Sequence, residues 1–223
     1  MRGLFVTGTD TGVGKTILAA AICAALGERG ERVAAFKPVV TGLDDPPGDW
    51  PHDHELLASV ANAGQSPNDV APARFGPPVS PHHAAELAGT TLEPLDLARA
   101  ARAAADGADA LVCEGVGGLM VPLTTGYLVR DFALDLELAL VVAARPGLGT
   151  ISHSLLTVDA ARTAGLDVLA VVLTPWPRDP GDLERSNRET IASLAHLEVA
   201  TLPHARPDTL ADAGRALPLE EWL

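Results

Sequence analysis

Two lysines stand out among the residues that could do chemistry. Of 16 basic residues in this 223-residue chain, only Lys15 and Lys37 are lysine; the rest are arginine. Lys15 sits in the run Gly8-Thr9-Asp10-Thr11-Gly12-Val13-Gly14-Lys15-Thr16. A short apolar run, Leu4–Thr7, precedes it and an alanine-rich run, Lys15–Glu28, follows, the strand-to-helix setting that a phosphate-binding loop requires. Glycines there let backbone N–H groups turn toward phosphate oxygens, and the start of the helix aims its own unpaired N–H groups at the same point. Gly12, Val13, Gly14, Lys15 and Thr16 are therefore the candidate nucleotide-binding residues. Lys15 would neutralise phosphate charge, and the Thr16 hydroxyl would coordinate Mg²⁺. The spacing is a variant: five residues rather than the usual four separate Gly8 from Gly14, and Thr9 stands where a glycine is expected.

Lys37 ends a second apolar run, Val33–Lys37, at Pro38. Glu114 ends a third, Ala110–Glu114, just before the glycines of 115–118. In a parallel sheet the C-terminal strand ends gather on one edge, where ligands bind. The glycine loop, Lys37 and Glu114 are expected to meet there. Magnesium takes hard oxygen ligands and keeps several waters. Thr16 and Glu114 supply two such ligands, and a third is expected from Asp44, Asp45, Asp49 or Asp53. The pairs His52/His54 and His82/His83 lack the i,i+4 spacing of a helical metal site, so a zinc centre is not expected. Cys23 and Cys113, both in apolar surroundings, read as buried free thiols.

These residues need a frame of alternating strands and helices. Further apolar runs at Leu138–Ala144, Val168–Thr174 and Val199–Leu202 read as strands. Asp53–Asn62, Pro94–Ala105, Thr150–Ala164 and Gly181–Leu197 read as helices, with Leu95, Leu97, Ala98 and Ala101 on one side of the second, and Leu155, Leu156, Val158 and Ala161 as the apolar residues of the third. Residues 42–52 read as a loop, and 63–82 show many prolines and no period. Strands separated by helices imply parallel crossover units, and unbroken apolar strands fit a sheet covered on both faces. The expected fold is a three-layer α/β P-loop NTPase type, with a mostly parallel sheet flanked by helices and one domain over residues 1–223.

A net charge of −13 argues against nucleic acid and anionic membrane surfaces as partners. The apolar run at the N-terminus is too short for a signal peptide and no stretch reaches the ~20 apolar residues of a membrane span, so a cytoplasmic location is expected.

Three motifs in order carry a resemblance to the dethiobiotin synthetases. Residues 8–16 are similar to that family's opening loop, Lys37-Pro38-Val39-Val40-Thr41-Gly42 to its second motif, and Glu114-Gly115-Val116-Gly117-Gly118 to its third. Ser80-Pro81-His82 and Leu148-Gly149-Thr150-Ile151-Ser152-His153 look like further family segments. Two positions depart from the pattern: many relatives carry Glu where this chain has Gly12, and often Asn where it has Ser152.

The resemblance implies a reaction. ATP, CO₂ and 7,8-diaminopelargonic acid would give dethiobiotin, ADP and phosphate through a carbamate and a carbamic–phosphoric anhydride. Such chemistry asks for positioning and for positive charge where the oxyanions meet. The resemblance implies Lys37, Lys15 and Thr11 as catalytic residues, with Thr11 and Thr41 as hydroxyl donors near the carbamate. It places Ser80 and Pro81 along the diamine, with Gly117 and Gly118 allowing close backbone approach. It implies Asp53 as the third metal ligand beside Thr16 and Glu114. Gly149 and Thr150, at a helix start, would hold the substrate carboxylate across a homodimer interface. Thr174, Pro175, Trp176, Leu202 and Pro203 would form the adenine pocket.

One competing reading is a dimeric switch ATPase of the partitioning or septum-placement kind. Such proteins carry an early second lysine in the loop, where this chain has Asp10. The two lysines bear on the question independently. In a chain that otherwise uses arginine, they mark places where a planar guanidinium does not fit and a compact ammonium does.

Overall fold

The computed structural model describes residues 2–223. In chain order its elements are β1 (Gly3–Gly8), α1 (Lys15–Glu28), β2 (Val33–Phe36), β3 (Val39–Val40), α2 (Asp53–Val60), α3 (Pro67–Val70), β4 (Ala73–Arg74), α4 (Pro81–Leu87), α5 (Pro94–Ala104) and β5 (Ala110–Glu114). There follow β6 (Pro122–Thr124), β7 (Tyr127–Leu128), α6 (Val129–Leu136), β8 (Ala139–Ala144), α7 (Thr150–Thr163), β9 (Val168–Trp176), α8 (Asp182–Ala195), β10 (Glu198–Pro203), α9 (Leu210–Arg215) and α10 (Leu219–Trp222).

Six strands form the central sheet in the order β10-β9-β8-β1-β5-β2, every neighbouring pair parallel. Successive side chains of a strand face opposite ways, and the core divides accordingly. Leu4 and Val6 of β1 pack with α1 on one face, while Phe5 meets Phe132 of α6 edge-on on the other, ring centres 6.0 Å apart. This is the α/β P-loop NTPase-like arrangement that the alternating apolar runs imply. Cys23 and Cys113 are free and buried, one in each cluster. Among the described residues no helix is long and apolar enough to cross a membrane.

The structure corrects several details. Leu95 is 72% exposed and Leu156 66% exposed, because α5 buries Leu97, Ala98 and Ala101 while α7 buries Ser154, Val158 and Ala161. In each helix the exposed leucine lies two positions before a buried residue, about 200° around a 3.6-residue turn. The proline-rich stretch 63–82 holds two short helices and a two-residue strand, β4, paired with β3. Pro67 and Pro81 open their helices at N1, where a missing N–H costs nothing. The β6–β7 ribbon, α9 and α10 are too short to show a period in the sequence, whereas α6 buries Val129, Phe132, Ala133 and Leu136 at helical spacing, a period that sequence reasoning missed. Gly214 brings α9 so close to α1 that a Cβ there would collide with the Ala21 carbonyl oxygen.

Candidate active site

β1 lies between β8 and β5, and connections from its end cross to one side while β8 and β9 extend to the other. Sheet order reverses at such a point, and a crevice opens beyond the strand ends. A cavity of about 740 Å³ occupies it. Thr11, Gly12, Gly14, Lys15, Thr16, Lys37, Thr41, Asp53, Ser80, Pro81, Glu114 and Gly117 all line it, gathered from positions up to 106 residues apart.

The loop between β1 and α1 is held by its own polar groups. The Lys15 Nζ reaches back to donate to the Asp10 carbonyl at 2.8 Å, and the Thr11 N–H donates to Asp10 Oδ1 at 2.7 Å. Gly14 caps α1 with φ +92°, a left-handed conformation that suits glycine. A Cβ there would stand 2.9 Å from Thr174 Cγ2, so the end of β9 presses on the loop. Lys15 is 6% exposed. Burial pushes its ammonium down to about 8, despite the opposing pull of Glu114.

Beside the loop lies a buried charge cluster. Lys37 leaves the end of β2 and donates to Glu114 Oε1 at 2.6 Å and Asp53 Oδ2 at 2.7 Å. Lys37 is 3% exposed and Glu114 is fully buried. Burial acts to neutralise Lys37, but the two carboxylates overturn it and hold the ammonium above its usual range. Burial raises the Glu114 carboxyl, with Lys37 opposing. Asp53 sits at the first position of α2, where the helix N-terminus favours a negative charge. Burial would raise it too, yet Lys37 prevails and its pKa is lowered.

Glu114 Oε1 also accepts from the Thr16 hydroxyl at 2.9 Å. Its other oxygen, Oε2, is buried and has no hydrogen-bond partner among the described residues. An unpartnered buried carboxylate oxygen is costly, and together with Thr16 Oγ1 and Asp53 it makes a hard-oxygen donor set of the kind Mg²⁺ takes. The residues therefore fit a magnesium ion. Of the acidic residues in the 42–52 loop, Asp45 lines the cavity, while Asp44 and Asp49 do not.

The remaining expected residues lie elsewhere. Val13 is packed in the α1-side core, and Gly118 lies against the backbone of Gly8 and Thr9. Gly149 caps α7, exposed, with Thr150 behind it, away from the lining of the cavity. Thr174 touches the loop at Gly14, while Pro175 is exposed and Trp176 half-buried. Trp176 pairs in register with Pro203 at the ends of β9 and β10. The Leu202 side chain is fully buried in the apolar core, so only its backbone could reach a base. The cavity also takes in Val116 of the third motif, and Trp50, Pro51, Leu56, Val79 and Val121, which the sequence did not single out as site residues. Those five are apolar residues of loops and short elements, with no pattern that marks them as lining before the chain folds.

A family model described as an AAA domain matches residues 2–207. The chain is 40% identical over 217 residues to the ATP-dependent dethiobiotin synthetase BioD of Anaeromyxobacter dehalogenans strain 2CP-1, covering 97% of this chain and 96% of that protein. It is 37% identical over 193 residues to the protein of the same name from Bacillus licheniformis, covering 86% and 80% of the two chains. With the Bacillus velezensis protein, again of that name, it shares 34% identity over 200 residues, 89% of this chain and 84% of the other.

Proposed function

The chain belongs to the ATP-dependent dethiobiotin synthetase family, and from that premise we propose how its residues divide the work of ATP-dependent dethiobiotin synthesis. The observation that carries this reading is one cavity lined at once by the glycine loop, by Lys37 and by Glu114. The 223 residues act as one synthetase domain of the cytoplasm, working as a homodimer on ATP, CO₂ and 7,8-diaminopelargonic acid.

Gly12, Val13 and Gly14 cradle the phosphates through backbone N–H groups, and Lys15 exchanges its bond to the Asp10 carbonyl for phosphate oxygens. Thr16, Asp53 and Glu114 would hold Mg²⁺, which when bound neutralises β- and γ-phosphate charge. Lys37 then turns its ammonium from the carboxylates to the carbamate that CO₂ forms on one substrate amine. Thr11 and Thr41 donate hydroxyl bonds to the same group. A carbamate oxygen attacks the γ-phosphorus and the bond to ADP breaks. The second amine attacks the activated carbonyl, phosphate leaves, and the ring closes with loss of a proton. The protein supplies no nucleophile; it lowers the barrier by holding the oxyanions in line and offsetting their charge.

Ser80 and Pro81 line the diamine chain, and Gly117 and Gly118 keep the opposite wall close. Gly149 and Thr150 of a partner copy receive the substrate carboxylate at the α7 N-terminus. Thr174, Pro175, Trp176 and Pro203, with the Leu202 backbone, flank the adenine. Phosphate release from ATP, Mg²⁺ and bicarbonate tests the reading directly. Release should depend on the diamine and match dethiobiotin formed; turnover indifferent to the diamine would overturn it.

A further inference from the structure

The charges of the buried cluster cancel. Lys15 and Lys37 stand against Asp53 and Glu114, and Lys37 is engaged by both carboxylates. Inside the cavity Lys15, bonded to the Asp10 carbonyl, is the one lysine not paired with a carboxylate, and a triphosphate carries more negative charge than it alone can offset. A second cation stands at the rim. Arg145 directly follows β8, the strand paired with β1, and donates from Nη2 to the Thr11 carbonyl at 3.0 Å. That is one of five N–H donors on a guanidinium. Among the described residues the others have no partner, and Arg145 enters no ion pair. A Cβ placed on Gly12 would lie 3.6 Å from Arg145 Nη2. The guanidinium is thus beside the two loop residues, Thr11 and Gly12, that line the cavity, and glycine at position 12 offers it no competing side chain.

The base on which Arg145 stands is fixed. The next two residues, Pro146 and Gly147, each accept from Asn187 Nδ2 through their carbonyls, at 2.9 and 3.2 Å. Asn187 is 4% exposed, a buried amide of α8 spent on holding this loop. An arginine on an anchored backbone, with free donors beside a phosphate loop, is arranged for forked bonds to phosphoryl oxygens.

We propose that Arg145 binds the terminal phosphoryl group of ATP, adding at the rim positive charge beyond what Lys15 supplies within. The inference rests on the ATP-dependent reading above. Binding of ADP and of a non-hydrolysable ATP analogue with an imido β–γ bridge, both with Mg²⁺, would be measured calorimetrically for wild type, Arg145→Gln and Arg145→Lys. Arg145→Gln should weaken the analogue about tenfold or more while leaving ADP within twofold. Arg145→Lys should recover part of that loss. Equal weakening of both nucleotides would show that Arg145 merely braces the loop through Thr11, and no change in either would remove it from the site; both results overturn the proposal. Failure of the wild-type protein to bind either nucleotide would instead strike at the ATP-dependent reading itself.

Discussion

Replacing Lys37 by methionine removes the ammonium and keeps a stem of similar length. Glu114, fully buried, then loses the charge 2.6 Å from its Oε1. Removing one partner of a buried ion pair costs about 3–5 kcal/mol when the other stays charged. The side chain of Asp53 is 42% exposed, so water takes over much of its share and the loss there is about 1 kcal/mol or less. Glu114 can escape by taking a proton. Burial already raises its carboxyl even with Lys37 opposing, and without Lys37 it rises further. A carboxyl raised on folding contributes stability below its unfolded pKa, ~4.3, and loses it as pH climbs through the folded value. The stability gap between wild type and Lys37→Met should therefore be smallest, about 1 kcal/mol, at the acid end. It should widen as pH rises, by up to about 1.4 kcal/mol per pH unit and toward about 3–5 kcal/mol. Urea unfolding of both proteins with chelator present, at four pH values, measures the gap. Adding Glu114→Gln to the variant should flatten its pH dependence. A gap that is constant from pH 5 to pH 8 would refute the view that Lys37 holds the Glu114 carboxyl down against its burial.

Four further outcomes are expected. Burial lowers the Lys15 ammonium to about 8 and phosphate binding should raise it again, so nucleotide binding at pH 8 should take up a fraction of a proton; identical calorimetric enthalpies in buffers of different ionisation heat would contradict this. Lys15→Arg and Lys37→Arg keep the charge but force a planar fork into nearly closed sites, and each should cut dethiobiotin formation by on the order of a hundredfold; a loss under fivefold in a steady-state assay would sink the argument from size. Glu114→Gln should raise the Mg²⁺ concentration needed for half-maximal turnover roughly tenfold or more, whereas an unchanged metal titration takes Glu114 out of the metal site. Gly14→Ala combines a left-handed backbone with a Cβ 2.9 Å from Thr174 Cγ2, so it should cost about 1–2 kcal/mol of stability and weaken ATP binding; a melting temperature and affinity equal to wild type would count against the strain.

Much of the site was legible before the chain folded. The loop from Gly8 to Thr16 is local chemistry: strand, glycines and helix start are contiguous, so sequence order alone brings its amides, Lys15 and Thr16 together. Lys37 and Glu114 could be placed at strand ends because unbroken apolar runs mark buried parallel strands, and the parallel rule puts their ends on one edge. The order of those strands was not local. Only the folded sheet sets β5 between β1 and β2, and so brings Glu114 within 2.6 Å of Lys37 across 77 residues of chain. The resemblance already pointed to Asp53 among the four aspartates, as the one at a helix start, but its 2.7 Å bond to Lys37 appears only once α2 packs beside the end of β2. The cancellation of charge within the cluster and the free guanidinium of Arg145 beside Gly12 belong wholly to tertiary structure. Periodicity reports which face of an element is buried, but charge pairing depends on distances between elements that no single stretch of sequence encodes.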